Sequence, residues 1–146
     1  MKRLVIIALL LCSLSSFATD LNVMFEVIKD VETNSNPLAV GDNGKAFGVV
    51  QIHKICVDDV NRIYGTDYEH SDMFNEACAK EVFVLYLTAG IDHYQVKHGK
   101  SPTENEIARM WNGGIYRGYL KNATNQYLRR YLIYREYYRQ RKRKLT

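Results

Sequence analysis

The sequence has no long apolar run, no internal repeat and no low-complexity linker. Its longest apolar stretch, Leu4 to Leu11, is far shorter than the roughly 20 residues that a membrane-spanning helix needs. No change of composition marks a second domain boundary. We therefore expect a single domain without a transmembrane segment.

The N-terminus has the pattern of a secretory signal peptide. Lys2 and Arg3 precede the apolar stretch, and small residues follow it up to Ala18. We expect cleavage after Ala18, which removes residues 1–18 and makes the protein secreted or periplasmic. The 128 residues that remain are enough for one domain with a hydrophobic core, residues 19–134, and a basic C-terminal end, residues 135–146.

Cysteine and histidine are too few and too scattered to predict a metal site. The four histidines lack the spacing of metal ligands, and the sequence implies no cofactor. Of the three cysteines, Cys12 would leave with the signal peptide, so Cys56 and Cys78 would remain in an oxidising compartment. We expect them to form a disulfide, which would stabilise the fold by roughly 3 kcal/mol. Two buried free thiols are the alternative.

Positive charge is concentrated near the C-terminus. Residues 129–144 contain eight Arg or Lys and one Glu, although the whole chain has a net charge of only +4. A basic end on a mildly acidic body favours an anionic partner surface. Cell-wall polymer, outer-membrane lipid or a secretion-type assembly fits this description, and nucleic acid is the least expected partner. A solvated helix end is the alternative.

Apolar residues at steps of three and four predict a mainly α fold. The predicted helices cover residues 21–31, 55–63, 72–94, 102–112 and a last segment from residue 124 onward. Ser101 is the expected cap of the fourth helix. Asp42-Asn43-Gly44 predicts a turn between extended runs 38–40 and 46–51. The sequence therefore predicts one small β-hairpin after the first helix.

Glu32 is a candidate proton donor. It lies one turn beyond Ile28, on the buried face of the first predicted helix. Burial and the carbonyls at a helix C-terminus both disfavour the carboxylate and raise its pKa. A carboxylic acid that is still protonated near neutral pH can protonate a leaving oxygen. A Glu that turns outward at the helix end is the alternative.

The residues after Glu32 resemble the first motif of the soluble lytic transglycosylases. In that family a helix ends in Glu-Ser, and an Asn-Pro, an Ala and then Gly-x-x-Gln on a hairpin strand follow. The corresponding residues here are Glu32-Thr33, Asn36-Pro37, Ala39 and Gly48 to Gln51, with Thr33 in place of Ser. Two later segments, ARMWNGG at 108–114 and TNQYLRRYL at 124–132, are similar to the family's Ala-x-x-Asn-x-Gly and Thr-x-x-Tyr segments. The resemblance spans residues 27–132.

The resemblance implies a lysozyme-like fold and a small, single-domain secreted enzyme that acts on peptidoglycan glycan strands. It would cleave the β-1,4 bond between N-acetylmuramic acid and N-acetylglucosamine. By this resemblance Glu32 is the sole acid and base, and Tyr127 hydrogen-bonds to it. Gln51 and Asn112 would bind acetamido or hydroxyl groups, because amides both donate and accept. Thr33 and Gly48 belong to the same substrate-binding motif.

A transglycosylase of this type needs only one carboxyl group. The 2-acetamido oxygen of the substrate stabilises the sugar cation, and the 6-hydroxyl then attacks C1. The product is a 1,6-anhydromuramic end, formed without water. Most glycosidases use two carboxyl groups instead.

Asp42 leaves the outcome of the reaction open. If its carboxylate points into the cleft, it can position water, and the enzyme hydrolyses the bond like a lysozyme. If it points outward, it only forms the turn, which is the interpretation that Asp42-Asn43-Gly44 favours. A wall-binding module without activity is a third hypothesis, and the intact Glu32, Gln51 and Asn112 argue against it. The residues alone do not distinguish murein from chitin, because both contain the same acetamido sugar.

Overall fold

The protein is described here by a computed structural model that covers residues 21–145. The predicted signal peptide, residues 1–18, lies outside the described residues. Five α-helices form most of the described chain, so the predicted mainly α fold class is confirmed. They are α1 at residues 21–33, α2 at Lys54–Tyr64, α3 at Glu76–His98, α4 at Glu104–Gly113 and α5 at Asn125–Lys144.

A small antiparallel sheet follows α1. Its strands are β1 at Val40–Gly41, β2 at Ala46–Phe47 and β3 at Ile52–His53, in the order β1-β2-β3. The predicted single hairpin is therefore incomplete, because the extended run expected over residues 46–51 breaks at Gly48. Gly48 has φ +77 and Gln51 has φ +57, and these left-handed residues turn the chain so that β3 pairs back onto β2.

The helix ends follow the capping rules, with one change from the prediction. Asn75 caps α3 by accepting hydrogen bonds from the backbone N–H groups of Ala77 and Cys78. Thr103, not Ser101, caps α4, because only Thr103 stands three residues before Glu106 and forms a reciprocal capping box with it.

The hydrophobic core lies around α3. Phe83 of α3 is fully buried and contacts Phe25 of α1 edge-on, with ring centroids 5.4 Å apart. On its other side Phe83 packs against Trp111 of α4 at 4.6 Å. Each such aromatic side chain contributes roughly 1.5–3 kcal/mol by leaving water. This packing holds α1 and α4 against α3.

The expected disulfide is absent, because Cys56 and Cys78 are both free thiols. Cys56 points toward Tyr86 of α3, and burial raises the pKa of its thiol to about 11. Tyr86 is eight residues beyond Cys78 on that helix, a separation of about 12 Å. Disulfides need Cα atoms within about 7 Å of each other. The two cysteines were expected to pair because both would remain after signal cleavage, which says nothing about the direction in which Cys56 points.

Helix α5 continues through the predicted boundary between residues 134 and 135. Tyr131 is fully buried, and its hydroxyl donates to Glu104 of α4. Arg135 binds the same carboxylate, with Nε 2.6 Å from Oε1. The basic C-terminal end therefore begins as a helix that is fixed to the domain. Within residues 21–145, no helix combines the length and apolar character that a membrane span requires.

Candidate active site

A cavity of about 260 Å³ lies where α1, the sheet, α2 and α4 meet. The predicted acid, both predicted amides and the possible second carboxylate all line it, although they are far apart in the sequence. The lining residues are Glu32, Asp42, Ala46, Gln51, His53, Cys56, Trp111 and Asn112.

Glu32 occupies the last turn of α1 and is half-buried at the wall of this cavity. Burial is the largest influence on its carboxyl group and raises its pKa above the ordinary 4.5. Tyr127, Arg130 and Trp111 act in the opposite direction, because each stabilises the carboxylate. The net pKa is raised, as the position of Glu32 in the sequence predicted. The group is therefore suited to keep a proton and, once the proton has left, to hold the charge.

Tyr127 of α5 lies directly against Glu32. Its hydroxyl is buried and has no hydrogen-bond partner of ordinary geometry within residues 21–145. Burial is the largest influence on this phenol, and the charge of the Glu32 carboxyl and a hydrogen bond to it outside ordinary geometry act in the same direction, so the pKa of Tyr127 lies well above 10.0. The phenol therefore keeps its proton and can donate a hydrogen bond. Hydrogen bonds in unliganded active sites are often long and shorten when substrate binds.

Arg130 is a residue of this site that the sequence interpretation missed. It lies one turn after Tyr127 on α5, and its guanidinium donates a hydrogen bond to the Val31 carbonyl, next to Glu32. Its positive charge lowers the pKa of Glu32. The three-residue step from Tyr127 could have indicated it, because residues at that spacing share one helix face.

Thr33 and Gly48 do not line the cavity, so their predicted substrate-binding role is not supported. The Thr33 hydroxyl donates to the Val49 carbonyl at 2.8 Å and joins α1 to the loop after β2. Gly48 lies so close to Met73 that an added Cβ would be 1.8 Å from its carbonyl oxygen. Both residues hold the backbone around the cavity in place, and neither forms part of the cavity wall.

Gln51 faces the cavity, and part of its side-chain amide is already hydrogen-bonded to the backbone. Its Nε2 donates to the carbonyls of Gly48 at 3.0 Å and Ala39 at 3.3 Å. Two hydrogen bonds use both hydrogens of that nitrogen, so Gln51 has mainly its carbonyl oxygen to offer to a ligand. That oxygen lies against Gly41, where an added Cβ would be 2.0 Å away. Asn112 of α4 also lines the cavity, is exposed and can use both halves of its amide.

Asp42 lines the cavity, contrary to the preferred interpretation that it only forms the turn. Its carboxylate oxygen lies 3.5 Å from His53 Nε2, so the two residues form a pair at the cavity wall. His53 was not a predicted site residue. It lies in β3, a strand that the sequence interpretation did not predict, so no local pattern indicated it.

Within the part of the chain from residue 21 to residue 145, no three His, Cys, Asp or Glu side chains form a group that could hold a metal ion. No known family model, curated protein or solved structure matches this chain.

Proposed function

We propose that this protein cleaves the β-1,4 glycosidic bond between N-acetylmuramic acid and N-acetylglucosamine in peptidoglycan, with Glu32 as the acid. The observation that carries this proposal is a half-buried carboxyl of raised pKa on the wall of a cavity that also contains two amide side chains. An acid of this kind can protonate a bridging oxygen. Amides at positions 51 and 112 suit N-acetyl sugars, and the sequence resemblance favours murein over chitin.

In the proposed reaction Glu32 gives its proton to the bridging oxygen while the C1–oxygen bond breaks. The 2-acetamido oxygen of the substrate stabilises the resulting sugar cation. Glu32, now a carboxylate, takes a proton from the 6-hydroxyl as that oxygen attacks C1, and a 1,6-anhydromuramic end results. The Tyr127 phenol and the Arg130 charge stabilise the carboxylate between the two steps, since both lower the pKa of Glu32.

A mainly helical domain with a small sheet after its first helix is compatible with the lysozyme-like fold that the resemblance implies. We place the enzyme in the periplasm or outside the cell because of the predicted signal peptide. The basic end of α5 would bind an anionic surface. Arg141 and Lys142 there lie over the rings of Tyr137 and Tyr138, each about 6 Å away.

Hydrolysis of the same bond is the second candidate function. It shares the acid step of Glu32, but water attacks C1 in place of the 6-hydroxyl. The observation in its favour is that Asp42 lines the same cavity as Glu32. Glycosidases that invert configuration use a second carboxylate in this way, to take a proton from the attacking water.

The proposal is tested by digestion of purified peptidoglycan and mass spectrometry of the soluble products. Wild-type protein should release muropeptides, and Glu32→Gln should lower the rate by about 10²–10⁴-fold because the general acid is lost. Glu26→Gln is the matched control. Glu26 is on the same helix but pairs with Lys29 outside the cavity, so this variant should keep nearly full activity. Equal activity of Glu32→Gln and wild type would overturn the assignment of the acid.

A further inference from the structure

The pair formed by Asp42 and His53 has no role in a reaction that uses Glu32 alone. Both residues line the cavity that contains Glu32, and Asp42 Oδ2 lies 3.5 Å from His53 Nε2. Each is partly exposed, with 57% of the Asp42 side chain and 42% of the His53 side chain accessible. The carboxylate is therefore in contact with solvent in the cavity, where a water molecule can reach it.

The sheet brings these two residues together. Gly41 of β1 pairs with Ala46 of β2, and Ala46 pairs with His53 of β3, so one row of partners crosses all three strands. Asp42 follows Gly41 directly at the end of that row. The third strand, which the sequence did not predict, is what places a histidine beside the turn.

The backbone at Asp42 is also unusual. Asp42 has φ +47 and Asn43 has φ +55, two consecutive non-glycine residues in the left-handed region. Such residues cost on the order of 1 kcal/mol each, and they are concentrated at functional sites. A glycine would adopt this conformation more easily but would leave no carboxylate in the cavity. The conformation directs the Asp42 carboxylate across the sheet toward His53.

We propose that His53 is a positioning residue that holds the Asp42 carboxylate toward the cavity, where it directs water to C1. Glu32 gives its proton to the bridging oxygen as the C1–oxygen bond breaks, a bond forms between C1 and the water oxygen, and Asp42 accepts the proton that this water loses. The His53–Asp42 pair then sets the share of cleavage events that end in reducing ends instead of 1,6-anhydro ends. This inference rests on the proposed function, because it needs the acid step of Glu32.

The test is the ratio of reducing ends to anhydro ends in peptidoglycan digests, measured by mass spectrometry for the mature chain. Wild type should yield both products. Asp42→Asn should lower reducing ends by about tenfold or more and spare anhydro ends, in line with the loss of a general base. His53→Gln should lower them several-fold, and the double variant should lose no more than Asp42→Asn. His53→Lys, which again places a hydrogen-bond donor beside Asp42, should recover part of the ratio.

His93→Gln is the control for loss of a histidine, because His93 contacts Tyr116 away from the cavity. His53 precedes α2 without a capping hydrogen bond from its side chain, so His53→Gln removes no cap. A wild type that yields only anhydro ends, or a product ratio that neither variant changes, would overturn this inference and leave the proposed function standing. A wild type that releases no muropeptides would overturn both.

Discussion

Replacement of Tyr127 by Phe should make the protein more stable and less active. The buried Tyr127 hydroxyl has no partner of ordinary geometry within residues 21–145. A buried, unpaired polar group costs roughly 1–3 kcal/mol, so its removal should raise the free energy of unfolding by about 1 kcal/mol. For a domain of this size, that corresponds to a rise in Tm of about 4 °C.

The same substitution removes a donor from the carboxylate that forms when Glu32 loses its proton. A hydrogen bond to a charged group is worth about 1.5–3 kcal/mol. At about 1.4 kcal/mol for each factor of ten, kcat should fall by about 10- to 100-fold. Urea denaturation and the rate of muropeptide release measure the two effects on one preparation.

Tyr131→Phe is the matched control, one turn further along α5. The Tyr131 hydroxyl is hydrogen-bonded to Glu104, so this variant should lose stability, by about 1 kcal/mol or more, and keep its activity. A Tyr127→Phe protein that loses stability as Tyr131→Phe does would show that the Tyr127 hydroxyl is paired before substrate binds. Unchanged kcat in Tyr127→Phe would refute its role beside Glu32.

Two further predictions concern the cavity wall and the basic helix end. Gly41→Ala would put a methyl group 2.0 Å from Gln51 Oε1 and so displace that amide. KM for glycan fragments should rise several-fold, while the circular dichroism spectrum should not change. An unchanged KM would show that Gln51 does not belong to the binding site. Truncation after Gln140 removes four Arg or Lys residues. Retention of the truncated protein on isolated cell walls at low salt should fall, while turnover of soluble fragments should continue. Retention equal to that of the full chain would argue against an anionic partner.

The helices and the position of the acid could be predicted from the sequence because both depend on local pattern. Apolar steps of three and four identify α1, and Glu32 continues its buried face by one turn. The family resemblance of the segments that contain Glu32, Gln51 and Asn112 led us to expect these side chains in one cleft, and they line one cavity. The extra strand could not be predicted in this way, since it depends on the positive φ of Gln51, a residue type that rarely adopts it.

Other features depend on distances between segments that no local pattern contains. The contact of the Cys56 side chain with Tyr86 follows from how α2 packs against α3. The pairing of Asp42 with His53 follows from the register of the sheet. Thr33 shows a third limit, because its place in a sequence motif does not reveal that its hydroxyl donates to the Val49 carbonyl and fixes a loop.

The central claim is that the Glu32 carboxyl keeps its proton to higher pH than an ordinary glutamate. Carbon-13 NMR of the side-chain carboxyl carbons, with Glu32→Gln used to assign the signal, measures this directly. Since burial is the largest influence on the group, its titration midpoint should lie above 4.5. A midpoint at or below 4.5 would mean that Glu32 is an ordinary carboxylate at neutral pH, and the proposed acid step would be contradicted.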